Sequence, residues 1–401
     1  MLFANPNATR TPYPRALQAL MNIRQANESR QWLAHWPQLR ATGTPLYDLP
    51  DLAAELGVGQ VRVKDESVRS PLGSFKALGA PIALVRLILR TFPGHGFTAA
   101  DLFAGRHASQ LAGFSVVSAT DGNHGRALAA AAQSVGCRCV IVLHAHVSME
   151  REQAIAAYGA QIVRVEGNYD ASVAHAAGLA QAHGWQVVSD TSYDGYEQIP
   201  GDVMQGYGTL AAELVEARGQ DPAFTHVFLQ GGVGGLAAGI VSYLWELMGE
   251  QRPTFIVVEP EQADCLLQSA MAGQPRAASG SVDSLMAGLA CGETSPLAWR
   301  FLQPSVDFFM TLGDCDAIAA MRRLAQGSAR DIPLLAGESA VAGLAGLARL
   351  MAVPALAARV GLGRASRVLL ISTEGATAPA LYTELVGETP ASVLARQQAW
   401  D

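Results

Sequence analysis

Charge is scarce in this 401-residue chain: 16% of residues are Asp, Glu, Lys or Arg, and 28 bases against 35 acids leave a net charge of −7. No run of Lys or Arg occurs, so the footprint of a protein that coats nucleic acid or an anionic membrane is missing. No secretory leader is expected, because MLFANPNATRTPYPRAL carries Asn, Pro and Arg where an apolar core is needed. The most hydrophobic later stretch, 339–363, is broken by Arg349, Pro354 and Arg359, which excludes an uninterrupted span of about 20 apolar residues. Cysteine is sparse and odd in number (Cys137, Cys139, Cys265, Cys291, Cys315), which reads as reduced thiols in a cytoplasmic protein. Cys265 and Cys291 flank a Gly-rich connection and invite a disulfide that only geometry can settle. No Cys/His set has zinc-like spacing, and His144 and His146 alternate without a third ligand, so no metal is expected. The remaining partner class is a small molecule.

Apolar residues are abundant: half of the chain is hydrophobic, with a mean hydropathy of +0.18, enough for two domains. β-Branched runs at 61–63, 115–117, 139–143, 162–165, 187–188, 227–229, 255–258 and 368–371 read as buried strands. Ala- and Leu-rich stretches at 126–135, 151–158, 171–183, 209–217, 236–247 and 339–351 read as helices. This alternation predicts an α/β fold of two parallel or mostly parallel twisted sheets flanked by helices. We expect a small domain at 91–199 and a large one built from 1–90 and 200–401. Ligands of such sheets sit beyond the carboxyl ends of the strands, which directs attention to the strand-to-helix turns.

Three turns stand out. In 64–76, Ser74 is a candidate N-cap for a helix over 75–89, and Lys76 falls in its first turn. The helix dipole and apolar neighbours there favour a neutral amine, which suits a Schiff base; the alternative is a snorkelling surface lysine. In 118–125, Thr120, Asp121, Asn123 and His124 crowd polar groups between Gly122 and Gly125 at a helix start, more than a plain cap requires. In 230–237, the glycines of Gln230-Gly231-Gly232-Val233-Gly234-Gly235 precede a helix and form an anion cradle without the Gly-Lys-Ser/Thr of a P-loop. Gly232 to Ala237 also fits a G-x-G-x-x-A dinucleotide fingerprint, with Glu259 near the place of a ribose-binding acid. An NAD-dependent oxidoreductase is therefore a rival reading.

Taken in order, Ser74-Phe75-Lys76, Asp121-Gly122-Asn123-His124-Gly125 and Gly231–Gly235 resemble the fold-type II pyridoxal-phosphate enzymes, the group of the tryptophan synthase β-subunit and threonine dehydratase. Within it the chain looks most like the diaminopropionate ammonia-lyases. That likeness rests on 119–126, Asp190-Thr191-Ser192-Tyr193-Asp194-Gly195-Tyr196, Met204-Gln205-Gly206-Tyr207, Met286-Ala287-Gly288-Leu289, Gly337-Glu338-Ser339 and Ile371-Ser372-Thr373-Glu374-Gly375. The resemblance implies that Lys76 holds pyridoxal 5'-phosphate through its amine and handles the α-proton. It implies that Gly231, Gly232, Val233, Gly234 and Gly235 bind the phosphate, that Asn123 meets the ring hydroxyl, and that Ser372 or Thr373 faces the ring nitrogen.

Thr120, Asp121, His124 and Asp190 would meet the substrate. Asp121 replaces the serine usual in dehydratases, and a carboxylate there would repel the substrate carboxylate but suit a β-ammonium or act as a second base. Asp190 would assist it, or simply cap a polar loop. The expected reaction is α,β-elimination of 2,3-diaminopropionate, L and D, to pyruvate and ammonia. The alternative is a serine, threonine or hydroxyaspartate dehydratase. A homodimer is implied by the resemblance. Glu338 reads as a first-turn acid, and Tyr193 and Tyr196 as packing.

Overall fold

β-Branched and aromatic runs supply eleven strands in the computed structural model, which describes residues 1–120, 122–145, 147–167 and 169–400. They are β1 (Leu2–Ala4), β2 (Leu46–Asp48), β3 (Gln60–Asp65), β4 (Ser115–Ala119), β5 (Arg138–His144), β6 (Gln161–Val165), β7 (Gln186–Val187), β8 (His226–Gln230), β9 (Thr254–Pro260), β10 (Phe308–Leu312) and β11 (Arg367–Ser372). Seven form a large sheet in the order β1-β10-β9-β8-β11-β3-β2, and four form a small one in the order β6-β5-β4-β7. The small sheet is parallel throughout. In the large sheet only the two edge strands, β1 and β2, run antiparallel.

The central strands are buried almost throughout, and successive residues alternate between two apolar clusters, one under the helical layer on each face. Val227, Leu229, Phe255, Val257, Leu369 and Ile371 belong to one apolar cluster. Their neighbours Phe228, Ile256, Val258, Val368 and Leu370 belong to another on the opposite face. Sheets buried on both faces read as continuous apolar runs, which is why these strands are visible in the sequence. β10, Phe-Phe-Met-Thr-Leu, is apolar too but holds no Val or Ile to mark it as a strand, and the three-residue edges β1 and β2 are too short to show a run.

Two expected helices differ. The helix expected over 209–217 runs from Gln198 to Arg218, because the glycines in its first half serve packing: a Cβ on Gly206 would stand 2.2 Å from the Leu78 carbonyl oxygen, and one on Gly208 would stand 2.6 Å from Ala26 Cβ. Close approach to neighbouring backbone overrides their low helix propensity. The expected helix 75–89 divides into a 3-10 turn, Phe75–Leu78, and a helix, Ala80–Thr91. Among the described residues no single helix is long and apolar enough to cross a membrane; the pair Ala342–Met351 and Pro354–Val360 reaches that length only together and bends by 114°.

Candidate active site

Lys76 is held where the large sheet faces the small one. β3 leads into a turn fixed by buried ion pairs, Arg69 with Glu66 at 2.8 Å and with Glu213 at 2.6 Å, and Lys64 with Glu213 at 2.7 Å. The turn is then tied to the end of β11: the Phe75 N–H donates to the Thr373 carbonyl at 3.0 Å, and the Gly375 N–H to the Gly73 carbonyl at 2.9 Å. Ser74 is extended and makes no side-chain cap, so the expected capping role is not observed.

The expectation of a neutral Lys76 is also corrected. Its ammonium pairs with Asp190, just beyond β7 of the small sheet. Burial alone favours the free amine, but the charge and hydrogen bond of Asp190 outweigh it and hold Lys76 above the usual lysine range. Burial likewise works to raise Asp190, and Lys76 with His124 overcomes it and holds the carboxyl below its usual range. His124 Nε2 donates to the Val188 carbonyl at 2.9 Å, which leaves Nδ1 facing Asp190 at 3.9 Å. Burial favours neutral imidazole there.

The polar loop before the helix Asn123–Val135 is braced by Thr120, whose hydroxyl accepts from the Gly122 N–H at 3.2 Å and the Gly125 N–H at 3.3 Å. Asn123 donates to Glu374. Asp121 lies outside the described residues, as does His146. Among the described residues no group of three His, Cys, Asp or Glu gathers in a metal-like cluster.

The glycine loop lies between β8 and the helix Gly235–Met248. Gly234 has φ +102°, and a Cβ on it would stand 2.8 Å from Leu302 Cδ1. On Gly232, a Cβ would stand 3.3 Å from both Cys291 Sγ and the Gly288 oxygen. Only glycine lets the loop pack this closely, and Gly232 to Gly235 bring backbone and a helix N-terminus to the cavity wall, an arrangement that suits a phosphate. Glu259 does not serve a ribose. Its carboxylate accepts from the N–H groups of Leu266 and Leu267, both at 2.8 Å, and so caps the helix Cys265–Ala272. Cys265 lies near Cys291 as a thiol, with no disulfide.

A cavity of about 490 Å³ collects these groups: Lys76, Thr120, Asn123, His124, Asp190, Gly232 to Gly235 and Thr373 all line it. Gly231 and Ser372 lie behind its wall; Ser372 is buried and its hydroxyl has no partner. Tyr193 stacks on Tyr196 at 4.7 Å at the rim, while the Tyr196 hydroxyl donates to the Val187 carbonyl at 2.9 Å.

Sequence reasoning missed Arg151, Glu374 and Tyr207 here, and read a fourth residue, Glu338, as a first-turn acid. Arg151 pairs with Glu338 at 3.0 Å, and Glu338 precedes its helix instead of opening it. Glu374 takes Asn123, and Tyr207 reaches the cavity wall. Three of the four, Glu338, Glu374 and Tyr207, sit within the segments that carried the family resemblance.

The model of the family described as pyridoxal-phosphate dependent enzyme matches residues 38–374. A diaminopropionate ammonia-lyase of Salmonella typhimurium is 38% identical over 92% of this chain and 94% of its own. Crystal structures of the diaminopropionate ammonia-lyase of Escherichia coli, in complex with an aminoacrylate-PLP azomethine reaction intermediate and with D-serine, superpose with a TM-score of 0.87 at 36% identity over 96% of both chains. A biosynthetic L-threonine dehydratase of Salmonella typhimurium is 29% identical over 77% of this chain and 52% of its own.

Proposed function

The chain belongs to the pyridoxal-phosphate dependent enzymes, and from that premise we propose that it is an ammonia-lyase that converts 2,3-diaminopropionate and water to pyruvate and two ammonia. The observation that carries this reading is similarity to ammonia-lyases over nearly the full length of both partners, against about half the length of the dehydratase. Membership of this family and the capping role of Glu259 overturn the NAD-dependent reading.

The residues present fit pyridoxal phosphate: a glycine cradle that a Cβ would fill, and a buried Ser372 hydroxyl without a partner beside Thr373. When bound, the cofactor supplies the electron sink that makes the α-proton of an amino acid acidic. In our reading Lys76 is the attachment point and, once released, the base on its own side of the site. Asp190 holds the Lys76 nitrogen and its proton. Gly231, Gly232, Val233, Gly234 and Gly235 hold the phosphate, Asn123 turns from Glu374 to the ring hydroxyl, and Ser372 or Thr373 meets the ring nitrogen. Thr120, Asp121 and His124 face the substrate, with Asp121 able to answer the β-ammonium or take the α-proton of the D enantiomer.

We further propose the division into 1–90 with 200–401 and 91–199, a homodimer, and a cytoplasmic location. Pyruvate release from L- and D-2,3-diaminopropionate, with L-serine as comparison, tests the reading. Rapid release from diaminopropionate and little from serine supports the lyase, and serine turnover alone selects the dehydratase. A Lys76→Ala protein that kept visible cofactor absorbance and full turnover would rule out the attachment point.

A further inference from the structure

Tyr207 is buried at 1% exposure, lines the cavity, and its hydroxyl has no hydrogen-bond partner. A buried phenol usually finds a partner. The ring is seated with care. A Cβ on Gly79 would stand 2.6 Å from Tyr207 Cε1, and one on Gly239 would stand 2.9 Å from Tyr207 Cβ, so two glycines from different elements make the slot. The Phe75 ring closes it, with its centroid 4.8 Å from that of Tyr207 and 5.2 Å from Lys76 Nζ. The hydroxyl makes no hydrogen bond of good geometry but lies within the charge and hydrogen-bonding influence of Lys76, beside the nitrogen on which the proposed chemistry turns.

We propose that Tyr207 is a positioning residue for Lys76: its hydroxyl oxygen accepts an N–H of the Lys76 nitrogen when that nitrogen leaves Asp190, and so aims the amine lone pair into the cavity. This rests on the lyase reading and deepens it. An acceptor there steadies the free amine after substrate has displaced it, and steadies the ammonium once it has taken a proton. Burial raises Tyr207 above the ordinary phenol range despite the nearby Lys76 charge, so the hydroxyl stays protonated and serves as an oriented dipole. The titratable groups facing Lys76 are Asp190, Tyr207, His124 and Cys291.

The test exploits composition. Lys64 and Lys76 are the only lysines in the chain, and Lys64 is fully buried and paired with Glu213, so competitive acetylation read by mass spectrometry reports Lys76 against an internal control. In cofactor-free Asp190→Asn protein, where Lys76 has lost its carboxylate, Tyr207→Phe keeps the ring and loses the oxygen; the Lys76 midpoint falls by about one pH unit, the scale of one hydrogen bond to a charged group. Tyr207→Gln returns an acceptor and restores the midpoint. In loaded protein, Tyr207→Phe lowers kcat on L-2,3-diaminopropionate about tenfold, with KM little changed.

An unshifted midpoint in Tyr207→Phe overturns the proposal, as does an equal shift in both variants. Should Tyr207→Phe fail to fold, Tyr207→Leu against Tyr207→Gln carries the same comparison. The acetylation needs neither cofactor nor substrate, so a wild-type protein inactive on diaminopropionate sinks the lyase reading and leaves this one standing.

Discussion

Lys76 and Asp190 form an ion pair across the cleft, one from the turn after a strand of the large sheet and the other from the loop after a strand of the small sheet. The pair fixes both charges, because each group holds the other in its ionised form against burial. Lys76 contributes stability below the unfolded lysine value, about 10.4, and loses it as pH rises through its higher folded value. Asp190 contributes above the unfolded value, about 3.9, and loses it as pH falls through its lower folded value. The cofactor-free protein is therefore expected to hold a plateau of melting temperature between about pH 4 and pH 10 from this pair.

Asp190→Asn removes the strongest influence that keeps Lys76 charged, so burial then shifts it toward the neutral amine. Cofactor-free Asp190→Asn is expected to take up pyridoxal phosphate faster than wild type near neutral pH, by roughly tenfold if the amine pKa falls by one unit. Stopped-flow visible absorbance reads this directly. Slower uptake would show that Asp190 does not keep the amine charged.

The strand-to-helix turns were legible because glycine and polar clusters mark them, and β8, β9 and β11 because two buried faces leave continuous apolar runs. The Lys76 charge was not legible. Its partner lies 114 residues away, and a helix-dipole argument built on neighbours sees only local fields. The first half of the helix Gln198–Arg218 was hidden for a related reason: Gly206 and Gly208 look like breakers until the neighbouring backbone is in place. Arg151 carries no local signal, and Glu338 showed only as an acid in a resemblance segment, since their pairing joins residues 187 positions apart.

Gly234→Ala tests the phosphate cradle. The backbone there is left-handed at φ +102°, and the added Cβ would meet Leu302 at 2.8 Å. The expected cost is about 1–3 kcal/mol in stability. Loss of amide alignment should weaken cofactor binding by at least roughly tenfold, measured by equilibrium titration. Near-normal affinity would move the phosphate elsewhere.

Glu338 tests the contact between the sheets. Burial first, and the nearby Glu374 second, push its carboxyl up to about 7 while Arg151 opposes them. A raised carboxyl pKa means that the folded state holds its proton longer, so stability falls as pH rises through that range. Melting temperature is expected to drop between about pH 5 and pH 8 in wild type, to drop further in Arg151→Met, and to flatten in Glu338→Gln. A Glu338→Gln profile parallel to wild type would assign the slope to another group.

Glu259 joins the cradle to the core. It is fully buried, accepts two backbone N–H groups of the helix Cys265–Ala272, and lies so near Gly231 that a Cβ there would stand 2.5 Å from its Cγ. Glu259→Ala removes the cap and opens a hole beneath the first glycine of the loop, for an expected loss of about 2–4 kcal/mol by denaturant titration. Glu259→Gln keeps the shape and one acceptor oxygen, so it should retain most of the stability. If the residue served only the helix, cofactor affinity would fall no further than global stability accounts for. The packing against Gly231 predicts more: in Glu259→Ala the loop amides lose their backing, and the dissociation constant for pyridoxal phosphate rises even where the protein remains folded.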